Sequence, residues 1–378
     1  MSGCNGWAGA VLTFAAALAV GCSGEDPAPP EPTRGAASGG TAPTSRAAAP
    51  TTPAPGDRPR TLTIGWTGDT VPASTANGLP PDPGRLFGAV TGLLRAPDLM
   101  IGNLEGALTT RGTSKCGPGA TSCYAFRSPP AYARLFATAG YDLLSLANNH
   151  SHDYGDVGLA DTRAAVESAG LATAGLPGQV TVRAVNGIRV AVVGFSPYHW
   201  TAPLNDPAAV RALVEAAKAR APVVVVILHG GGEGEGSLHV PPGREIAFGE
   251  DRGDLRAFAR TAVAAGASVV VGAGPHVVRG MEVVSGRLVA YSLGNFVGWR
   301  TLSSSGSKGI TAVLTVTLRE DGTTVAARIV PTEMVPPGYA APDPRRRAVE
   351  LIRRLSVEDF GPTAARIGAD GSIAVRRG

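Results

Sequence analysis

The chain has 378 residues, 44% of them apolar, 17% charged and 5% aromatic, with a formal net charge of +4 from 34 basic and 30 acidic side chains. That apolar mass fills one large core or two modest ones, and so even a charge balance argues against a nucleic-acid partner. The 51 Gly and 31 Pro follow no G-X-Y period, and past the N-terminus no apolar run reaches the roughly 18 residues of a spanning helix, which excludes collagen and a polytopic membrane protein.

The first charged side chain is Glu25. Before it, Ala8 to Val20 is an apolar stretch of signal-peptide length, so residues 1–21 are expected to be a signal peptide. It runs into Leu18-Ala19-Val20-Gly21-Cys22, which resembles the lipobox of bacterial lipoproteins, with Cys22 acylated. Ala19 stands where Leu is commonest, and no Lys or Arg precedes the apolar stretch; an ordinary cleaved signal is the competing reading. Residues 22–60 follow as a linker. Ser23 to Arg60 holds nine Pro in 38 residues and no Val, Ile, Leu, Met, Phe, Tyr, Trp or Cys, too little apolar surface to offset ordering entropy. A lipid anchor on such a spacer predicts a domain tethered at the extracytoplasmic face of the cell membrane. Cysteine use agrees with export: Cys116 and Cys123, in a Gly/Ser/Thr-rich loop, are spaced for a local disulfide rather than for zinc.

From residue 61 to 335, short β-branched runs alternate with Ala/Leu-rich amphipathic stretches, the rhythm of an α/β domain. Strands are expected at 62–67, 98–102, 142–147, 190–195, 222–228 and 268–272, and helices at 84–95, 131–140, 157–169, 207–220 and 253–266. Hairpin signals at Asn186-Gly187, Ser285-Gly286 and Asp321-Gly322 suggest a second, partly antiparallel sheet. Residues 336–378 read as a C-terminal tail, in which Arg345-Arg346-Arg347 leads into a short docked helix.

The informative pattern lies just past the strands. They are followed by Gly68-Asp69, by Asn103-Leu104-Glu105, by Asn148-Asn149-His150 with His152 and Asp153, by His229 before three glycines, and by Gly274-Pro275-His276. In open α/β sheets this edge binds ligands. One strand-end Asp is ordinarily a helix cap and one Asn a turn residue. Five strands delivering such residues, with four of the six His among them, exceed what capping requires. The donors are those of a site for Mn, Fe, Zn or a similar divalent ion. His199 reads as a loop residue.

The segments GDTV, NLEG, ANNHSHDYGDVGL, ILHGGGEGE and GAGPHVVRGMEVVSGRLVAYSLGNF together resemble the CapA (poly-γ-glutamate capsule synthesis) family over about residues 61–335. The resemblance implies a calcineurin-like metallophosphatase fold, an αββα sandwich of two mixed sheets flanked by helices. It implies Asp69 as a first metal ligand, Glu105 as a bridging carboxylate, Asn149, His229 and His276 as further ligands, and His150 as the acid on the phosphate side. This chain departs from the pattern at Val71, where an Asp-x-His motif would place His, at Ala273, where a His often follows the Gly, and at HGGGEGE, which lacks the aromatics of HWGxEY. One or two ions would then have about three protein ligands each.

Two functional classes follow. One is a tethered metal-dependent hydrolase or transferase acting on a phosphorylated substrate or an anionic polymer, with His150 protonating the leaving group. In it the glycine-rich Gly230–Gly236 stretch is a lid candidate, and Glu233 and Glu235 either add charge near the metal or are solvated. The other is a non-catalytic polymer-binding accessory protein with a depleted metal site, partnered with capsule-synthesis membrane proteins, in which Arg279 is a candidate anion contact. A blander third reading leaves the polar strand ends as helix caps.

Overall fold

The computed structural model describes residues 59–375. The expected signal peptide, the candidate lipid site Cys22 and nearly all of the linker lie outside the described residues.

Two mixed sheets form the centre. The larger has ten strands and is built around Thr61–Val71, which runs parallel to Leu99–Leu104 and antiparallel to Ile310–Arg319. Leu143–Ser145 and Ala172–Ala174 extend its parallel side, and Thr324–Val335 extends the other. The smaller sheet, of seven strands, has a parallel centre of Ile188–Ser196, Val223–His229, Val269–Ala273 and Arg287–Ala290.

Side-chain alternation decides what each face touches. In Val223–His229 the residues Val223, Val225 and Ile227 pack between the sheets with Leu62, Ile64 and Trp66 of the other sheet. Val224, Val226 and Leu228 point the other way, onto Val210 and Val214 of helix Pro207–Arg220 and Leu255 and Phe258 of helix Leu255–Ala264. Burial of both faces is why this strand reads as an unbroken apolar run. Met100 and Leu144 cover the outer face of the larger sheet with Phe87, Phe136 and Val166 from its helices. The result is the expected αββα sandwich. Trp66 ties its halves together by donating from Nε1 to the Gly272 carbonyl at 3.0 Å.

Local chemistry sets the helix ends. Asp206 caps Pro207–Arg220 by accepting from the Ala208 and Ala209 amides, Pro207 fills the first turn, and Pro222 follows the end; losing such a cap costs about 1 kcal/mol. The single helix expected at 84–95 is instead two short turns, Arg85–Gly88 and Thr91–Leu94. Gly88 and Gly92, with β-branched Val90 and Thr91 between them, lower helix propensity over the whole stretch.

The hairpins correct a second expectation. Asn186-Gly187 and Ser285-Gly286 do turn within the smaller sheet, with both residues of each pair at positive φ. Asp321-Gly322 instead joins Ile310–Arg319 to Thr324–Val335 in the larger one. Both sheets are therefore mixed. The segment after Val335 is more than a tail. Tyr339–Pro342 and Ser372–Ala374 pair with Thr324–Val335, and helix Arg347–Phe360 buries Ala348, Val349 and Ile352 in the inter-sheet core. Those partners cover a strand that would otherwise be an exposed edge.

Candidate metal centre

Parallel register brings the polar strand ends together. Asp69 lies opposite Asn103 on one side and Asn295 on the other. The chain bends here because the Asp69 amide reaches the Gly294 carbonyl at 2.9 Å, and a Cβ on Gly68 would lie 1.8 Å from that oxygen. Only glycine fits. Across the interface, His229 ends its strand on the face that Val225 and Ile227 share, and Ala273 is its ladder neighbour. Gly274, at φ 112°, turns its amide onto both oxygens of Asp69 at 3.1 Å. His276 follows in the left-handed region at φ 59°, backbone strain of the kind that functional sites carry.

The candidate ligands converge. One donor atom each from Asp69, Glu105 and His276 lies within 4.8 Å of the others. His276 Nδ1 is 3.2 Å from Asp69 Oδ2, and its Nε2 is 3.8 Å from Glu105 Oε1. His229 Nε2 stands 3.6 Å from Glu105 Oε1 and 3.0 Å from the Asn149 side-chain oxygen. Glu105 carries the argument for a cation. Its carboxylate is fully buried, and neither oxygen has a hydrogen-bond partner. A buried carboxylate left bare costs several kcal/mol unless a positive charge meets it. Two carboxylates with imidazole and amide donors are a set that a divalent ion satisfies.

The electrostatics tell the same story. Burial, then the neighbouring Asp69, pushes the Glu105 carboxyl well above its usual range. Burial also presses on Asp69, but the His276 ring, His229 and the Gly274 amide outweigh it and hold that carboxyl below its usual value. His229 is driven down to about 3, chiefly by burial. Burial opposes charge on His276 too, yet Glu105 and Asp69 overcome it and raise the ring to about 10. With the Glu105 carboxyl and the His276 ring both raised, a bound ion competes with protons at these two groups.

His150 sits beside the cluster with its Nδ1 2.9 Å from Asp153 Oδ2 and its ring packed on Phe126. Burial lowers its pKa, against the pull of Asp153. His152 instead pairs with Asp156 and stacks on Trp200, and His199 is exposed. Cys116 and Cys123 form a disulfide.

Two expectations are overturned. Arg279 is no anion contact, because it is fully buried and spends its guanidinium on Glu245, the Gly232 carbonyl and the Ser237 carbonyl. Those bonds, with the Gly232 amide donating to Glu245 at 2.8 Å, pin the glycine-rich stretch down, so it is no lid. Of its acids, Glu235 is exposed, while Glu233 reaches within 3.7 Å of His276 Nε2 and 2.7 Å of the buried Arg252.

Asn103 and Asn148 stood among the strand-end residues of the sequence, but their supporting role, and Asn295 altogether, were not assigned there. Asn103 donates to Asp69, Asn148 donates to Asn103 and to the Leu104 carbonyl, and the Asn295 side-chain oxygen meets His276 Nδ1 at 2.9 Å. Each stood inside a motif, but only the strand register shows that they line up around Asp69.

Comparison with known proteins covers this same region. A sequence model described as "Bacterial capsule synthesis protein PGA_cap" matches residues 63–299. The PGA biosynthesis protein CapA of Bacillus subtilis (strain 168) is 29% identical over 242 residues, covering 58% of this chain and 59% of that protein. The capsule biosynthesis protein CapA of Bacillus anthracis is 31% identical over 210 residues, covering 50% and 46%. The chain thus spans about half the length of the curated relatives it matches. Among solved structures, a 5′-nucleotidase precursor from Thermus thermophilus aligns with a TM-score of 0.42 at 16% identity, over 79% of this chain and 59% of that one.

Proposed function

This chain belongs to the bacterial capsule synthesis protein family, and from that membership we propose that it acts in the synthesis, export or attachment of an anionic cell-surface polymer of the poly-γ-glutamate type, through a metal-dependent hydrolase-type site. The observation that carries the metal is the bare, buried Glu105 carboxylate among Asp69, His229 and His276.

Asp69, Glu105, Asn149, His229 and His276 would hold one or two ions, with Mn, Fe or Zn best suited to these donors. A divalent ion supplies charge that polarises a phosphoryl or carbonyl oxygen and makes water a better nucleophile. The protein's own residues do the rest. Asp153 holds the His150 ring by Nδ1, which leaves Nε2 free to protonate a leaving group. Asn103 and the Gly274 amide fix the Asp69 carboxylate, and Asn295 fixes His276.

We further propose that the protein is lipid-anchored through Cys22 at the extracytoplasmic face of the membrane. The Cys116–Cys123 disulfide supports an oxidising compartment. Metal analysis of the purified full-length protein, with phosphoesterase and amidase assays, tests the proposal. One or two equivalents of a divalent ion on which turnover depends are expected. A metal-free protein inert under Mn, Fe and Zn would leave the non-catalytic polymer-binding role.

A further inference from the structure

The loop closed by the disulfide wraps the acid side of the site, and both of its flanks end on one residue. On one flank the Lys115 amide donates to the Asp153 carbonyl at 2.8 Å, and the Lys115 ammonium lies 2.7 Å from Asp153 Oδ1. On the other the Phe126 amide donates to Asp153 Oδ2 at 2.6 Å, and the Phe126 ring packs on His150. Asp153 Oδ2 is also the oxygen that meets His150 Nδ1. From residue 113 to 126 the sequence is TSKCGPGATSCYAF, with Lys115 its one charged residue. So few apolar side chains give the loop no core of its own, and Tyr124 is 65% exposed. A cross-link supplies the order that packing cannot.

The ammonium also donates to the backbone carbonyl of Asn149, the residue whose side-chain oxygen touches His229. An ammonium has three donors. The Asn149 carbonyl takes one, Asp153 Oδ1 faces the ammonium as an ion pair without a hydrogen bond, and the side chain is 36% exposed, so donor capacity remains for a ligand. Two arginines near the site are buried against carboxylates instead: Arg279 on Glu245, and Arg252, its side chain 3% exposed, within ion-pair distance of Glu233 and Glu250.

We propose that this disulfide-closed loop is the oxyanion-recognition element of the site, with the Lys115 ammonium receiving a carboxylate or phosphate oxygen of the substrate beside His150. This rests on the metal-site reading above and adds to it the contact that selects an anionic substrate. The disulfide holds that contact in place.

Binding of two probes, inorganic phosphate and a short glutamate oligomer, to the full-length protein by titration calorimetry tests the proposal. Lys115→Met, Lys115→Arg and the Cys116→Ser/Cys123→Ser double variant are compared with wild type, each with and without added Mn. Lys115→Met is expected to weaken binding of the probe that the wild type prefers by roughly tenfold to a hundredfold, the size of a lost charge-assisted hydrogen bond. Lys115→Arg should recover part of the loss, and the double Ser variant should resemble Lys115→Met while keeping its metal. The preferred probe distinguishes a phosphate from a carboxylate substrate. Binding by Lys115→Met equal to wild type, or no binding of either probe to wild type, overturns the inference. Metal content is read on the same samples, so loss of the metal site and loss of the Lys115 contact are separate results.

Discussion

Replacing Glu105 with Gln should separate a metal ligand from an ordinary buried acid. The side chain keeps its volume and loses its charge. In the metal-free protein that charge has no hydrogen-bond partner. An uncharged amide of the same volume is less costly to bury than an ionised carboxylate, so at pH 8 the metal-free variant should be the more stable of the two. For a domain of this size each kcal/mol gained raises Tm by about 2 °C. The metal effect runs the other way. A divalent ion at a hundred times its Kd stabilises the wild type by about 2.7 kcal/mol, or about 5 °C, and Gln at 105 should abolish that gain. The sign with pH follows from the raised carboxyl. The stability that protonated Glu105 contributes is complete below the ordinary value of 4.5 and is lost as pH rises through its higher folded-state pKa. Over the same window the proton leaves, metal affinity grows, and the gain on adding metal should widen. Differential scanning fluorimetry of chelator-treated protein, with and without Mn or Zn, reads all of this. A Glu105→Gln variant with a lower metal-free Tm, or with the full metal-induced rise, would refute the assignment.

Three further outcomes are expected. His150→Ala should keep its metal, measured by elemental analysis, and lose roughly 10²–10⁴-fold in turnover, the usual size of a general-acid effect; unchanged turnover would remove His150 from the chemistry. Arg279→Met leaves Glu245 buried and unpaired beneath the glycine-rich loop, so urea unfolding should show a loss of about 3–5 kcal/mol. A loss below about 1 kcal/mol would mean that the loop is held by other contacts. Cys22→Ala should release the protein from the membrane fraction on cell fractionation, and unchanged partitioning would dismiss the lipid anchor.

The sheets were legible because their strands are buried on both faces, which writes VVVVIL and similar runs into the chain. The site was legible for a related reason. Ligand-type residues at the ends of five runs are conspicuous where apolar side chains are the rule. What could not be read was register. Nothing in the linear order says that Asn103 and Asn295 flank Asp69, because the two pairings join segments far apart in the chain. Arg279 misled for the opposite reason. Its nearness to His276 in sequence suggested a shared site, yet its guanidinium turns onto Glu245 and the glycine-rich loop. Likewise the strands after Val335 are short and mixed in character, and they form because the Thr324–Val335 strand offers them an edge.

The two departures from the family pattern, Val71 and Ala273, decide less than the linear comparison suggests. A depleted site would be expected to show its remaining ligands slack or neutralised by protein partners. Here Asp69 accepts from Asn103 and from the Gly274 amide, His276 is met by Asn295, and His229 lies against Asn149. Neutral amides orient these ligands, and the positive charge that meets the carboxylates is that of the raised His276 ring, itself a candidate ligand. Had the centre been retired, the simplest repair would place an Arg or Lys on Glu105, and the nearby Arg252 contacts Glu233 and Glu250 instead. Glu105 remains fully buried with neither oxygen in a hydrogen bond, a cost that a cation at that position would offset. Val71 and Ala273 are themselves fully buried, with Ala273 packed in the inter-sheet core, so the positions of the absent imidazoles are filled by the sandwich rather than left as gaps in the site.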